Sequence, residues 1–343
     1  KAGWAGAVLK TTSVEGTEVD LAYPMMSGID LGNDRLMGMG NIDLISEHRV
    51  DVVEKRISEL KRNFQSKVVI ASVSGSSKES WQEVTQRVIA AGADLVECSF
   101  SCPQGSLGLK AGMMLGQDPV ASALVVDWIK SSAGETPVII KLTPQVADIA
   151  EIAMAVKDAG ADAVCVGNTL PALMGVDVED FVPIPNVCGK STYSGLSGPA
   201  VKPISLKCIS VISKEVGIPI AGSGGAVSWR DALEFILVGA GVVEFCTAVM
   251  HYGYDIIDDL KEGLSFHLER LGISSVAELR GRSLEFITSH DDLTRAKWRP
   301  SIDLECCVKC DACVIACRDG GHRAIRADDD RKPEVDDDKC VGC

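Results

Sequence analysis

The chain has 343 residues, 46% of them hydrophobic and 24% charged, which is enough to bury one large core and still carry a small second module. A formal net charge of −14 argues against a nucleic-acid partner, because phosphate binding needs a positive surface. No apolar run is long enough to span a bilayer and no signal-peptide pattern opens the chain, although the abrupt start at Lys1-Ala2-Gly3-Trp4 leaves room for a preceding segment.

From the N-terminus onward, a short β-branched run, a glycine or polar loop and a helical stretch follow one another repeatedly. Apolar runs at residues 7–11, 68–73, 95–100, 138–142, 163–166, 218–221 and 242–246 predict strands. Helical spacing fills most gaps, as at 81–91, 147–159, 200–216 and 229–239, and again near 254–271. Gly92-Ala93-Asp94 and Gly160-Ala161-Asp162 each close a helix on a C-cap glycine and lead into the next strand. Continuous apolar strands alternating with helices predict an α/β class with a parallel sheet covered by helices, specifically a (β/α)8 TIM barrel. Seven strands are counted where a closed barrel has eight, so the first is expected upstream of Lys1. An open doubly wound sheet is the alternative. The polar and glycine-rich features below sit at strand C-terminal ends all around the set, which favours the barrel.

Those strand ends carry the candidate chemistry. Lys10 and Lys141 point at one mouth, and a lysine there needs an anionic partner: a carboxylate, or the electron-rich N1–C2=O edge of a flavin. Cys98, Ser99 and Cys102 cluster near the third strand end, where a cysteine can serve as a proton donor or remain inert. Asn168-Thr169 and Asn41 offer amide and hydroxyl groups suited to a planar, amide-rich ligand. Gly222-Ser223-Gly224-Gly225, and Thr247 after the last strand, fall where barrels commonly bind a phosphate on bare backbone N–H groups. Together with the two lysines these loops point to FMN; the plainer reading of the glycines is tight turns.

Near residues 289–299 the βα rhythm gives way to cysteines and aspartates, so the expected domains are 1–290 and 291–343. The acidic run 326–338 reads as a solvated loop. Of 13 cysteines, seven crowd into residues 306–343, which in a chain without a secretion signal reads as metal ligands in a reducing, cytoplasmic setting. Cys307-x2-Cys310-x2-Cys313-x3-Cys317 has the spacing of a bacterial ferredoxin motif, and Cys340-x2-Cys343 begins a second. Two [4Fe–4S] clusters are expected in the full-length protein, zinc or buried cysteine being the alternative. Neither cluster has four ligands within this chain, and Cys306 breaks the spacing. Such a module would carry single electrons between a distant donor and a two-electron cofactor.

Ser101-Cys102-Pro103-Gln104, Gly116-Gln117-Asp118-Pro119, Lys141-Leu142-Thr143-Pro144, Asn168-Thr169 and Gly195-Leu196-Ser197-Gly198 occur in an order that resembles the dihydropyrimidine dehydrogenase family. The likeness covers nearly the whole chain and extends to the catalytic subunit of the bacterial NAD-dependent enzyme, a dihydroorotate dehydrogenase-like barrel followed by a ferredoxin segment. It implies FMN held by Lys10, Thr11, Lys141, Ser197, Gly198, Gly224, Gly225, Cys246 and Thr247. It implies Cys102 as the general acid that protonates C5 of a pyrimidine, hydride reaching C6 from the flavin. Asn41, Asn168 and Thr169 would then bind the ring's amide edges, with Asp43 and Ser99 in the same site. Electrons would come from NAD(P)H through a separate flavoprotein subunit, because no Gly-x-Gly-x-x-Gly between strand and helix is present. A homodimer or a heterotetramer follows by the same analogy.

Two positions depart from the family. Ser99 stands where relatives carry asparagine, and Asp43 where the animal enzyme carries glutamate. A site built on hydrogen bonds discriminates steeply when one is lost, so the flavin chemistry carries over more directly than uracil or thymine as substrate. Another activated heterocyclic C=C bond is therefore an alternative. A dihydroorotate dehydrogenase-type oxidoreductase is a further one, disfavoured by the cysteine tail. A non-catalytic electron-transfer or assembly subunit is the alternative outside enzymes.

Overall fold

In the computed structural model, residues 2–15, 21–30, 36–100, 114–294 and 298–343 are described. The chain separates into two units, Lys1–Glu285 and Phe286–Cys343. The first runs β1 (Gly6–Val8), β2 (Met26–Asp30), β3 (Leu36–Asn41), α1 (Val50–Asn63), β4 (Val68–Val73), α2 (Lys78–Ala90) and β5 (Leu95–Ser99). It continues through α3 (Pro119–Ala133), β6 (Val138–Leu142), α4 (Ile149–Asp158), β7 (Ala163–Val166), β8 (Leu170–Ala172) and β9 (Ser194–Ser197). Then come α5 (Lys202–Glu215), β10 (Ile220–Ser223), α6 (Trp229–Leu237), β11 (Val242–Glu244), α7 (Thr247–Tyr252) and α8 (Ile256–Leu271).

Seven of these strands form one parallel sheet in the order β1-β4-β5-β6-β7-β10-β11. They are the seven expected, with shifted ends. The first stops at Val8, so Lys10 and Thr11 stand beyond it. The sixth begins at Ile220 rather than 218, since Pro219 has no N–H to give to a ladder. The sheet's side chains alternate between two faces. Val96, Cys98, Val138, Ile140, Leu142, Val164 and Val166 face the helices, in one core with Ile57, Trp81, Val125, Ile152, Ile209 and Phe235. Ile139, Cys165 and Ala221 form a separate cluster with Ile70, Leu95 and Ala163 on the other face.

That second face is an interior. Glu97 on β5 and Glu244 on β11 have three strands between them, roughly 19 Å across a flat sheet. Their carboxylate oxygens nevertheless lie within 4.8 Å of each other. The sheet is therefore strongly curled, and an open doubly wound layer does not describe it. Trp4 before β1 and Phe245 after β11 are in ring contact at 5.8 Å, so its two edges approach as well. Among the described residues β1 and β11 share no ladder.

Helix starts are well specified. Ser77 and Ser80 make a capping box on α2, and Ser228 and Asp231 make one on α6. Asp118 accepts from the N–H groups of Val120 and Ala121 at 2.9 Å, with Pro119 opening α3. The Gly-Gln-Asp-Pro motif is thus a helix start. A second sheet, antiparallel in the order β2-β3-β9-β8, was not anticipated. Its strands come from the segments that follow β1 and β7.

The second unit contains α9 (Ala312–Asp319), β12 (Ile325–Ala327) and β13 (Pro333–Val335). Residues 326–338, expected as a solvated loop, instead supply most of an antiparallel pair, Ile325 opposite Val335 and Ala327 opposite Pro333. The acidic residues make its turn: Asp328 accepts from Lys332 N–H through its side chain at 2.7 Å. Among the unit's described residues only Ala324 and Pro333 are buried. No described helix is long and apolar enough to cross a membrane.

Candidate active site

The interior face changes character along the strands. It runs Leu95, Glu97, Ser99 on β5; Ile139, Lys141 on β6; Ala163, Cys165 on β7; and Ala221, Ser223 on β10. Each of these four strands is apolar at its N-terminal end and polar at its C-terminal end. The polar end is the mouth.

At its base, Lys141 Nζ lies 3.6 Å from Glu97 Oε1 and 3.7 Å from Glu244 Oε2. Cys165 Sγ donates to Glu244 Oε2 at 3.3 Å. Glu97 is 1% exposed, and its second oxygen is buried without a hydrogen-bond partner. At such distances each charge pair interacts by about 4 kcal/mol at an effective dielectric of 20. One ammonium therefore cannot fully compensate two adjacent carboxylates. Burial, reinforced by Glu97, pushes the Glu244 carboxyl up despite Lys141. Burial opposes the charge on Lys141, but the acidic groups around it, Glu97 and Glu244 among them, outweigh it and hold the ammonium well above its usual range. Burial and Glu244 keep the Cys165 thiol protonated.

Above this cluster, the small sheet gathers side chains from distant parts of the chain. Asn41 at the end of β3 pairs in register with Gly195 on β9. A Cβ on Gly195 would sit 2.4 Å from Thr169 Oγ1, so Asn41 and Thr169 flank one glycine. Asn168 Oδ1 accepts from the Thr169 N–H at 2.8 Å, and Asn41 Oδ1 from the Asp43 N–H at 2.6 Å. Lys10 pairs with Asp43 at 2.7 Å, so its partner within the fold is a carboxylate. The other oxygen of Asp43 is buried without a hydrogen-bond partner. Thr11 Oγ1 meets Ser72 Oγ at 2.9 Å, and Thr247 Oγ1 donates to Ser197 Oγ at 3.0 Å. The small sheet thus touches both edges of the large one, through Lys10–Asp43 after β1 and Ser197–Thr247 after β11.

Glycines shape the remaining wall. Gly198, at φ 86°, lies beside Gly38, Met37 and Thr247 at ordinary contact distance. Gly225 has φ 96°, and a Cβ there would stand 2.6 Å from Lys202 N, a backbone atom that cannot swing away. Gly224 has φ 103° and lies against Ser205. Their backbone is therefore bare, while Cys246 is exposed beside Thr247. Bare backbone, hydroxyls, two lysines and unpartnered buried carboxylate oxygens suit a ligand with a phosphate, donor groups and an electron-rich edge.

Cys102 lies outside the described residues. Ser99 is buried at the end of β5, in register with Lys141. Cys98 faces the helix core, where burial raises its thiol far above the usual range, so it is a packing residue. In the second unit Cys310 and Cys343 are exposed, and Cys307, Cys313, Cys317 and Cys340 partly so. Cys317 Sγ accepts the Ala324 N–H at 3.1 Å. Lys309 and Asp311 adopt left-handed backbone at φ 58° and 60°, winding the loop between Cys307 and Cys313. All cysteines described are free. The sequence reading missed Glu97, Cys165 and Glu244, although a carboxylate inside Leu-Val-Glu-Cys or Val-Val-Glu-Phe is the signal of a polar strand position with a buried partner.

A model of the dihydroorotate dehydrogenase family matches residues 36–268. The chain is 37% identical over 330 residues to the NAD-dependent dihydropyrimidine dehydrogenase subunit PreA of Escherichia coli (strain K12), covering 94% of this chain and 79% of that protein. It is 33% identical over 305 residues to the chloroplastic dihydropyrimidine dehydrogenase (NADP(+)) of Arabidopsis thaliana, covering 85% and 71%. It is 38% identical over 220 residues to the catalytic subunit of dihydroorotate dehydrogenase B (NAD(+)) of Caldicellulosiruptor saccharolyticus, covering 64% and 69%.

Proposed function

The chain belongs to the dihydroorotate dehydrogenase family, and from that membership we propose that it is an FMN-dependent oxidoreductase that reduces the C5=C6 bond of a pyrimidine such as uracil or thymine. The observation that carries the reading is the polar mouth of the curled sheet, with the Lys141 ammonium at its base. FMN fits the donors there: Gly224, Gly225 and Thr247 for its phosphate, with Gly198 and Cys246 beside them, and Lys141 for the N1–C2=O edge. Lys10, Thr11 and Ser197 line the same wall. When bound, the flavin supplies two-electron chemistry as hydride transfer to C6.

The chain's own residues then have three tasks. Lys141 holds positive charge where electron density collects. Asn41, Asn168 and Thr169, with Asp43 and Ser99, orient a ring of alternating donors and acceptors. Cys102 delivers the proton to C5. Residues 1–290 are read as a (β/α)8-type barrel and 291–343 as a ferredoxin-like segment in which Cys307, Cys310, Cys313, Cys317, Cys340 and Cys343 ligate [4Fe–4S] clusters. Electrons from NAD(P)H enter through a partner flavoprotein, in a homodimer or heterotetramer and in a reducing, cytoplasmic setting that suits free thiols. A second substrate class, another activated heterocyclic alkene, is supported by Ser99, which removes an amide from the site.

The test is anaerobic. FMN is reduced on the protein, uracil or thymine is added, and reoxidation is followed in the visible. Rapid reoxidation is expected. A flavin that binds and reduces but ignores both compounds would move the substrate to another heterocycle.

A further inference from the structure

The cluster around Lys141 holds more acid than the single lysine can compensate. Glu97 comes from β5, Lys141 from β6, Cys165 from β7 and Glu244 from β11. The neighbouring inward positions on β10, Ala221 and Ser223, do not titrate. Cys246, two residues beyond Glu244, is exposed. Glu97, Cys165 and Glu244 could be imagined as metal ligands, since their ligand atoms lie within 4.8 Å of one another. Lys141 Nζ, 3.6 and 3.7 Å from the two carboxylates, already supplies the cation, and a metal ion would face its repulsion. The chemistry that fits is proton exchange.

We propose that Glu244 is a charge-compensating positioning residue which, acting through Lys141, takes up one proton when negative charge develops at the mouth and releases it when that charge leaves. The inference rests on the reading of the mouth as a flavin site. With the mouth neutral, Lys141 is shared between two carboxylates. When an external one-electron donor delivers two electrons and one proton reaches flavin N5, the remaining negative charge lies at the N1–C2=O edge and draws on the same ammonium. Glu244 then loses part of its cationic partner and binds a proton from solvent. Two electrons and two protons are thus consumed, and the cluster regains its charge balance. Hydride transfer to substrate reverses both changes: the edge charge disappears and the Glu244 proton is released. Glu97 is 1% exposed and Glu244 17%, so Glu244 is the carboxyl that protons from solvent can reach. Burial already favours the protonated form of Glu244, which makes it the member that responds.

The measurement is the flavin midpoint potential of the full chain as a function of pH, by spectroelectrochemistry. The wild type should take up two protons per two electrons near neutral pH, and Glu244→Gln only one. Glu244→Asp, which keeps a carboxyl, should restore the second. If Glu244→Gln does not fold, Cys165→Ala replaces it. Losing the thiol that donates to Glu244 should extend two-proton behaviour to higher pH. Identical proton counts in wild type and Glu244→Gln, or an unmoved profile in Cys165→Ala, would overturn the proposal. Infrared difference spectra of flavin-free protein across a pH titration read the Glu244 carboxyl directly. Absence of FMN binding with that carboxyl still titrating would sink the reading of the mouth and the coupling, leaving only a buried acid. FMN binding with no such carboxyl would sink this inference alone.

Discussion

Lys141 shows how much a single side chain can hold in place. Its removal would leave Glu97 and Glu244 facing one another without a cation, and stranded buried charges typically cost about 3–5 kcal/mol. Protonation can relieve part of that cost, so the loss must depend on pH. Without Lys141, which now pulls it down, the Glu244 carboxyl would be pushed up further. A carboxyl raised in the folded state contributes stability fully present below its ordinary value, 4.5 for glutamate, and lost as pH rises through the folded value. Lys141→Met is therefore expected to be only slightly less stable than wild type near pH 5 and about 3 kcal/mol less stable near pH 8, read from urea denaturation at both values. A pH-independent deficit would mean that lost packing, rather than stranded charge, is the cause.

Ser99 poses the opposite question, of a group that is missing. It is buried in register with Lys141 at the rim of the interior, where an asparagine would reach further and offer both a donor and an acceptor. If the pyrimidine reading holds, Ser99→Asn should raise kcat/KM for uracil or thymine by roughly tenfold or more, the effect of one satisfied polar group at about 1–3 kcal/mol. A drop in that ratio would place the ring's edge elsewhere, or mark a substrate chosen by the serine.

At the scale of elements, the strands of the large sheet were legible and those of the small one were not. Val68–Val73, Val138–Leu142 and Ala163–Val166 are mostly apolar, broken only by Ser72 and Lys141 near their C-terminal ends, because both of their faces are largely buried, and periodicity finds such runs easily. Met26–Asp30 and Leu36–Asn41 are rich in glycine and methionine. Their pairing is set by tertiary contacts that no local pattern records. Asn41 and Thr169 could be named as candidates, but not that Gly195 would bring them together. The glycine-rich loop was recognised, though not why each glycine is needed. At Gly225 the reason is both conformational and steric. Gly225→Ala must adopt φ near 96° with its methyl against the Lys202 backbone, shifting the junction of β10 and α5. Since that loop is read as the phosphate cradle, the variant should bind FMN at least tenfold more weakly in a fluorescence titration while keeping its secondary structure. Unchanged affinity would place the phosphate elsewhere.

At the scale of the whole molecule, the two units are held by different physics. Lys1–Glu285 buries a continuous apolar core between its curled sheet and helices, of the kind that stabilises a domain without help. Phe286–Cys343 has only Ala324 and Pro333 buried among its described residues, while Trp298, Val308 and Val341 are 76%, 82% and 62% exposed. So little buried apolar surface cannot offset the conformational entropy of ordering such a segment. Its left-handed turns at Lys309 and Asp311 and the Ala324 N–H donated to Cys317 are compatible with the proposed clusters, whose ligation would supply the missing stability. Iron removal should therefore act on one unit alone. Anaerobic chelation of the reconstituted protein is expected to open residues 286–343 to proteolysis within minutes, while 1–285 survives with its thermal transition moved by less than a few degrees. A tail as resistant without iron as with it would show that protein contacts alone hold it. Cys310→Ser would then separate the structural role from the electrical one, losing NAD(P)H-linked turnover while flavin reduced directly by dithionite still passes its electrons to substrate.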